Sequence, residues 1–131
     1  MTHVNKTIVH FEIPAENVQK LKTFYENLFG WKIIHAPIPG MDYWMIHTVP
    51  TDEQGMQQEP GLNGGMYKKE NAMQIPTNWV HVDDIDAHTE KLKQLGGKMI
   101  IEKMQIPTVG WTAIGLDPEG NQVAMLQPER E

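Results

Sequence analysis

Cysteine is absent from all 131 residues. That excludes disulfides, thiolate zinc sites and cysteine nucleophiles. Long apolar runs are missing as well, and none approaches the roughly 18 residues that a membrane-spanning helix requires. The opening Met1-Thr2-His3-Val4-Asn5-Lys6 lacks the apolar segment of a secretory signal. The expectation is a cytoplasmic protein with no membrane partner. Basic charge is scarce, with eleven Lys and Arg against seventeen Asp and Glu and a formal net charge of −6. The densest basic clusters, Lys20/Lys22, Lys68/Lys69 and Lys91/Lys93, each sit beside Glu. A nucleic-acid binder needs a basic stripe to displace counterions, and none is visible, so no nucleic-acid partner is expected.

The remaining composition is ordinary for a globular chain, 40% hydrophobic and 21% charged. The length suits one domain, or two half-domains sharing a core. Thr7 to Ile13 reads as a strand, with Val9, Phe11 and Ile13 on one face and His10 and Glu12 on the other. Pro14 stops it. A helix follows from about Glu16 to Phe29, with Val18, Leu21, Phe24, Tyr25 and Leu28 as its apolar stripe. Glu16 suits the first turn, and Gly30 the left-handed position past the last one. Trp31 to His35 and Asp42 to Val49 are further strands, the latter setting Tyr43, Met45 and His47 against Trp44, Ile46 and Thr48.

Residues 50–61 form a polar loop, either a lid or cleft rim or a disordered connector. Leu62 to Tyr67 is a short strand whose glycines imply a close approach to the backbone. After a linker ending at Pro76, Asn78 to Val82 is a strand, with Trp79 and His81 on one face. Asp83 or Asp84 caps a helix in which Ile85, His88, Leu92 and Leu95 share a face. Gly96-Gly97 ends that helix. Lys98 to Gln105, Val109 to Leu116 and Gln122 to Gln127 complete the strands, with a turn at Asp117-Pro118-Glu119-Gly120-Asn121. The order is strand, helix, three strands, given twice. Setting Gly30 on Gly97 pairs Leu28 with Leu95 and Val18 with Ile85, an internal repeat.

His10, Phe24-Tyr25, Leu28-Phe29-Gly30-Trp31, Val82-Asp83-Asp84-Ile85-Asp86, Leu95-Gly96-Gly97 and Asp117-Pro118-Glu119-Gly120-Asn121 together resemble the vicinal oxygen chelate superfamily. That group includes glyoxalase I, extradiol dioxygenases and bleomycin-resistance proteins. The resemblance covers nearly the whole chain. It implies an α+β fold of paired βαβββ modules whose mixed sheet curls around a cleft. The resemblance further implies a single domain over 1–131, with its modules at about 7–67 and about 78–127, and assembly as a homodimer.

In metal-dependent members, the first and last strands of each module supply two His or Gln and two Glu to one divalent ion. Carried over, those positions fall on His10, Thr77, Gly64 or Gly65, and Ala124. One ligand of four survives, and a lone imidazole does not hold a catalytic ion. The expectation is therefore no cofactor and no metal ligand. Should the metal-dependent alternative hold, His10 is the ligand and the ion is Zn, Ni, Fe or Mn.

The site residues expected from this are His10 and Glu12 as proton-handling groups, with Trp44, His47, Trp79, His81 and Trp111 lining a small-molecule pocket in the cleft between modules. Competing structural readings stand beside these. Glu12 equally suits a solvent-facing edge, and His81, nearer its strand end, a hydrogen-bonded structural histidine. A rebuilt metal site from His10, Glu12, His47 and His81 has suitable residue types, but it needs a convergence that the sequence does not fix. Trp31 and most methionines belong to the core, and His3, His35 and His88 to the surface. Three functions follow: a metal-independent small-molecule binder or acid–base enzyme; a divalent-metal lyase, isomerase or dioxygenase of glyoxalase type; and a non-catalytic dimeric interaction module. The first is preferred, because the carboxylates are missing.

Overall fold

A computed structural model describes residues 5–129. His3 lies outside them. The elements are β1 (Ile8–Ala15), α1 (Val18–Phe29), β2 (Lys32–His35), β3 (Tyr43–His47), β4 (Gly64–Lys68), β5 (Thr77–His81), α2 (Ile85–Gln94), β6 (Lys98–Ile106), β7 (Gly110–Leu116) and β8 (Gln122–Pro128). Two helices and eight strands, ordered βαβββ twice, make the α+β class that the sequence implies. Contacts gather residues 10–76 into a first compact unit, and residues 77–129 with 5–9 into a second.

In the first unit the strands lie in the order β2-β3-β4-β1, with β1 parallel to β4 and the other neighbours antiparallel. α1 begins because the Asn17 side chain accepts from the Lys20 amide at 3.0 Å, satisfying a donor that the first turn leaves open. The helix therefore starts at Val18 rather than at Glu16, which stays outside it. Gly30, with φ of 72°, supplies the expected left-handed end.

Val18, Leu21 and Tyr25 press onto a core of Ala15, Ile33, Ile46 and Met66, joined by Phe11, Ile13, Trp31 and Trp44. Phe24 and Leu28, expected in the same stripe, are instead 54% and 55% exposed. Phe24 sits about 100° around the helix from Tyr25, and only a narrow face reaches the sheet. Phe24 packs edge-on against the Tyr25 ring, at 5.1 Å between centroids.

The second unit repeats the plan as β5-β8-β7-β6, with β5 parallel to β8. Asp84 caps α2 by accepting from the Ala87 amide at 3.1 Å. Val82, Ile85, Ala113 and Met125 form the core, flanked by Val80, Leu92, Met99, Trp111 and Val123. Leu95 does not share this face. It stands at the helix end and is 69% exposed. The left-handed residue after it is Gly96, with φ of 97°. The caps Asn17 and Asp84 keep the spacing that set Gly30 on Gly97, so the repeat is carried by the helix starts.

Residues 50–61 are neither helix nor free connector. Thr51 bridges to Gln57, the Asp52 carboxylate accepts from the amides of Gln54 and Met56, and Gln57 donates to the Gly61 carbonyl. The loop is tied to itself. In the Asp117 turn, the carboxylate accepts from the amides of Asn121 and Glu119. Those bonds hold Asp117 below its ordinary value, that from Asn121 most strongly.

Candidate functional site

Strand alternation gives the first unit's sheet two faces. The face under α1 holds the core. The other carries His10 and Glu12 from β1, Gly65 and Tyr67 from β4, Tyr43, Met45 and His47 from β3, and Lys32 and Ile34 from β2. Register aligns them: Glu12 lies beside Gly65, Gly65 opposite Met45, Tyr43 opposite Tyr67, and His47 opposite Lys32.

The centre of this face is the Tyr43 hydroxyl. It donates to Glu12 Oε2 at 2.7 Å and lies 2.7 Å from His10 Nε2. The His10 and Tyr43 rings are near parallel, at 22°. Tyr43 is only 5% exposed. Burial, then the Glu12 charge, raises its ionisation far above the ordinary tyrosine range, so the phenol keeps its proton. Burial and Glu12 also raise Tyr67.

Gly65 makes this placement possible. A β-carbon there would stand 1.8 Å from the Tyr43 oxygen, well inside contact distance. The phenol therefore occupies the space that a side chain from β4 would take. Gly64 is similarly tight against Phe11. Sequence reasoning put Tyr43 on the same side of its strand as His47 but gave it no role. The usable signal was the glycine pair, which marks a close approach without naming what approaches.

The structure separates the other expected residues. His47 shares the His10 face at the far end of β3, and burial followed by the Lys32 charge lowers its ionisation. Trp44 points to the opposite side, into the α1 core, with its indole 5.2 Å from the His35 ring. In the second unit, Trp79 and His81 leave β5 on the face away from α2, beside Ala124 and Leu126. The Trp79 indole nitrogen is buried with no hydrogen-bond partner among the described residues. The His81 backbone is held by Lys6 and Thr7, at 2.6 and 2.9 Å. Trp111 is on the α2 side, packed on that unit's core under Lys103, whose Nζ is 4.5 Å from the ring centroid.

Among the described residues, the donors at the positions expected to hold a divalent ion do not fit one. Among the described residues, no three or more His, Asp or Glu side chains gather as one would need. His10 and Glu12 are both engaged by the Tyr43 hydroxyl, and position 65 has no side chain. In the second unit the corresponding positions are Thr77, whose hydroxyl donates to Gln122 at 3.1 Å, and Ala124. Two donors already bonded to a phenol fall short of the three or four that tight divalent sites use.

Twofold βαβββ units with parallel first and last strands define the glyoxalase-type class of α+β proteins. The chain belongs to the Glyoxalase/Bleomycin resistance protein/Dioxygenase superfamily, whose family model matches residues 7–125. It is similar to a glyoxylase-like domain-containing protein of Didymella fabae, 30% identical over 87% of this chain and 88% of that protein. It is also similar to a protein of Mycobacterium tuberculosis named as glyoxylase CFP32, 28% identical over 97% of this chain but 47% of that protein. The chain thus spans about half the length of that relative.

Among solved structures, methylmalonyl-CoA epimerase from Mycobacterium tuberculosis aligns over 99% of this chain and 94% of its own, at a TM-score of 0.63 and 14% identity. A single-residue variant of the Streptomyces coelicolor epimerase, in complex with 2-nitronate-propionyl-CoA, aligns over 95% of this chain and 96% of its own, at 0.68 and 12%. At identities this low, these superpositions show a shared fold alone.

Proposed function

We propose that this protein binds a small organic molecule on the His10 face of its first unit and exchanges a proton with it through His10, without the divalent ion of its metal-dependent relatives. The carrying observation is the Tyr43 hydroxyl held at 2.7 Å from both His10 and Glu12. An imidazole accepting a proton becomes a cation, and a carboxylate one phenol away stabilises that cation. The same logic serves base–carboxylate pairs elsewhere. Tyr67, Met45 and Ile34 add mixed aromatic and apolar surface to this face, the composition that small-molecule sites favour. Proton abstraction is the opening step of isomerase and lyase chemistry, the reaction classes proposed here. A binder that only sequesters its ligand uses the same face without that step.

The test is a thermal-shift screen of small carboxylic acids and planar aromatic compounds against the wild-type protein and His10→Ala. At least one compound should raise the wild-type midpoint and fail to raise the variant's. Turnover of any such compound should fall by about 10²–10⁴-fold in His10→Ala, the usual contribution of a general base. Hits whose shifts survive the substitution unchanged would place the ligand elsewhere and overturn the reading.

A further inference from the structure

The His10–Tyr43–Glu12 chain has a direction. The phenol has one proton, and it goes to Glu12 Oε2 at 2.7 Å. A carboxylate offers only acceptors, so that assignment stands whenever Glu12 is ionised. The Tyr43 oxygen can then only accept from His10 Nε2, also at 2.7 Å. A hydrogen bond of this length needs a proton between its atoms, and the remaining candidate is an Nε2–H. Burial keeps Tyr43 from ionising, so the phenol keeps its proton across the ordinary pH range.

We propose that Tyr43 is a positioning residue: it fixes the His10 proton on Nε2, and so makes Nδ1 the nitrogen that accepts a proton when the imidazole is neutral. This rests on the small-molecule reading for its use, though not for its geometry. It goes further by naming the nitrogen that holds the proton and the residue that selects it. Glu12 becomes the far anchor of the chain rather than a second independent base. Gly65 is part of the device, because any β-carbon there would displace the phenol oxygen.

Histidine tautomers are read directly from long-range proton–nitrogen correlation spectra of uniformly ¹⁵N-labelled protein. The measurement is made at about pH 8.5, above the ordinary histidine range, with His10 assigned by its loss in His10→Gln. In the wild type, Nε2 should resonate as the protonated nitrogen and Nδ1 as the bare one. Tyr43→Phe removes the hydroxyl, and Gly65→Ala displaces it while keeping the tyrosine. In either, the Nε2–H to Nδ1–H ratio should fall by about tenfold, the scale of one lost hydrogen bond. If Tyr43→Phe does not fold, the wild-type spectrum and Gly65→Ala still decide. An Nδ1–H tautomer in the wild type overturns the proposal, as does a ratio unmoved in the folded variants. The spectra need no ligand, so their failure is distinct from an empty ligand screen.

Discussion

A histidine and a lysine directly opposite each other on a sheet make a simple electrostatic probe. His47 and Lys32 pair across β2 and β3, and no carboxylate forms an ion pair with Lys32 among the described residues. Burial, and after it the lysine charge, disfavour the imidazolium and lower the ionisation of His47. Between the folded and unfolded values, the unfolded chain holds more proton. Stability from this residue is therefore complete above about pH 6.5, and is lost as pH falls below that toward the lowered folded value. The imidazole C2–H in a proton NMR titration should move with a midpoint below the ordinary histidine value. Lys32→Met should raise that midpoint only partway, because burial is the larger cause. Full return to the ordinary value would assign the shift to Lys32 alone.

At the same scale, the sequence carries a plainer signal for His10 than for Tyr43. Alternation alone puts His10 and Glu12 on one side of β1, and Tyr43 and His47 on one side of β3. Whether those sides meet depends on β4 lying between them in the register Glu12–Gly65–Met45, and the chain does not print that register. A phenol spans the gap only because residue 65 lacks a side chain. Trp44 and Trp111 show the opposite limit. Each is an aromatic in a strand, and only the packed structure reveals that both face a helix and its core.

At the level of elements, the two helices show what a local signal can and cannot specify. Asp84 was legible as a cap because an acidic pair stood ahead of an apolar period. Asn17 stands ahead of its helix without such a pair, although Asn is as good a cap as Asp. Its side chain takes the Lys20 amide at 3.0 Å on an exposed surface, with no acidic residue in the first turn to assist. Asn17→Ala should lower stability by about 1 kcal/mol, which for a chain of this size is a fall of roughly 3–6 °C in thermal midpoint. Asn17→Asp should restore it, since the carboxylate accepts the same amide and suits the positive end of the helix dipole. Circular dichroism melts of the three proteins decide this. An alanine variant matching the wild type would move the helix start elsewhere.

At the scale of the whole molecule, the repeat links fold and chemistry. Both units use the same strand order, with first and last strands parallel. Glu12 beside Gly65 in the first unit corresponds to Trp79 beside Ala124 in the second. The residues at the places where metal-dependent relatives carry donors are thus a small residue on each last strand, and a His and a Thr on the first strands. That pattern predicts indifference to divalent ions. A resident ion at about a thousandfold its dissociation constant stabilises the folded state by about 4 kcal/mol, equivalent to well over about 10 °C for a chain of this length. The thermal midpoint should instead agree within about 2 °C between excess EDTA and saturating zinc or nickel, a difference of under about 1 kcal/mol. Elemental analysis of protein purified without chelator should find far less than one equivalent of Zn, Ni, Fe or Mn. A large chelator-induced drop together with near-stoichiometric metal would mean that His10 leaves Tyr43 to bind an ion. The phenol would then be a gate on a metal site rather than its replacement.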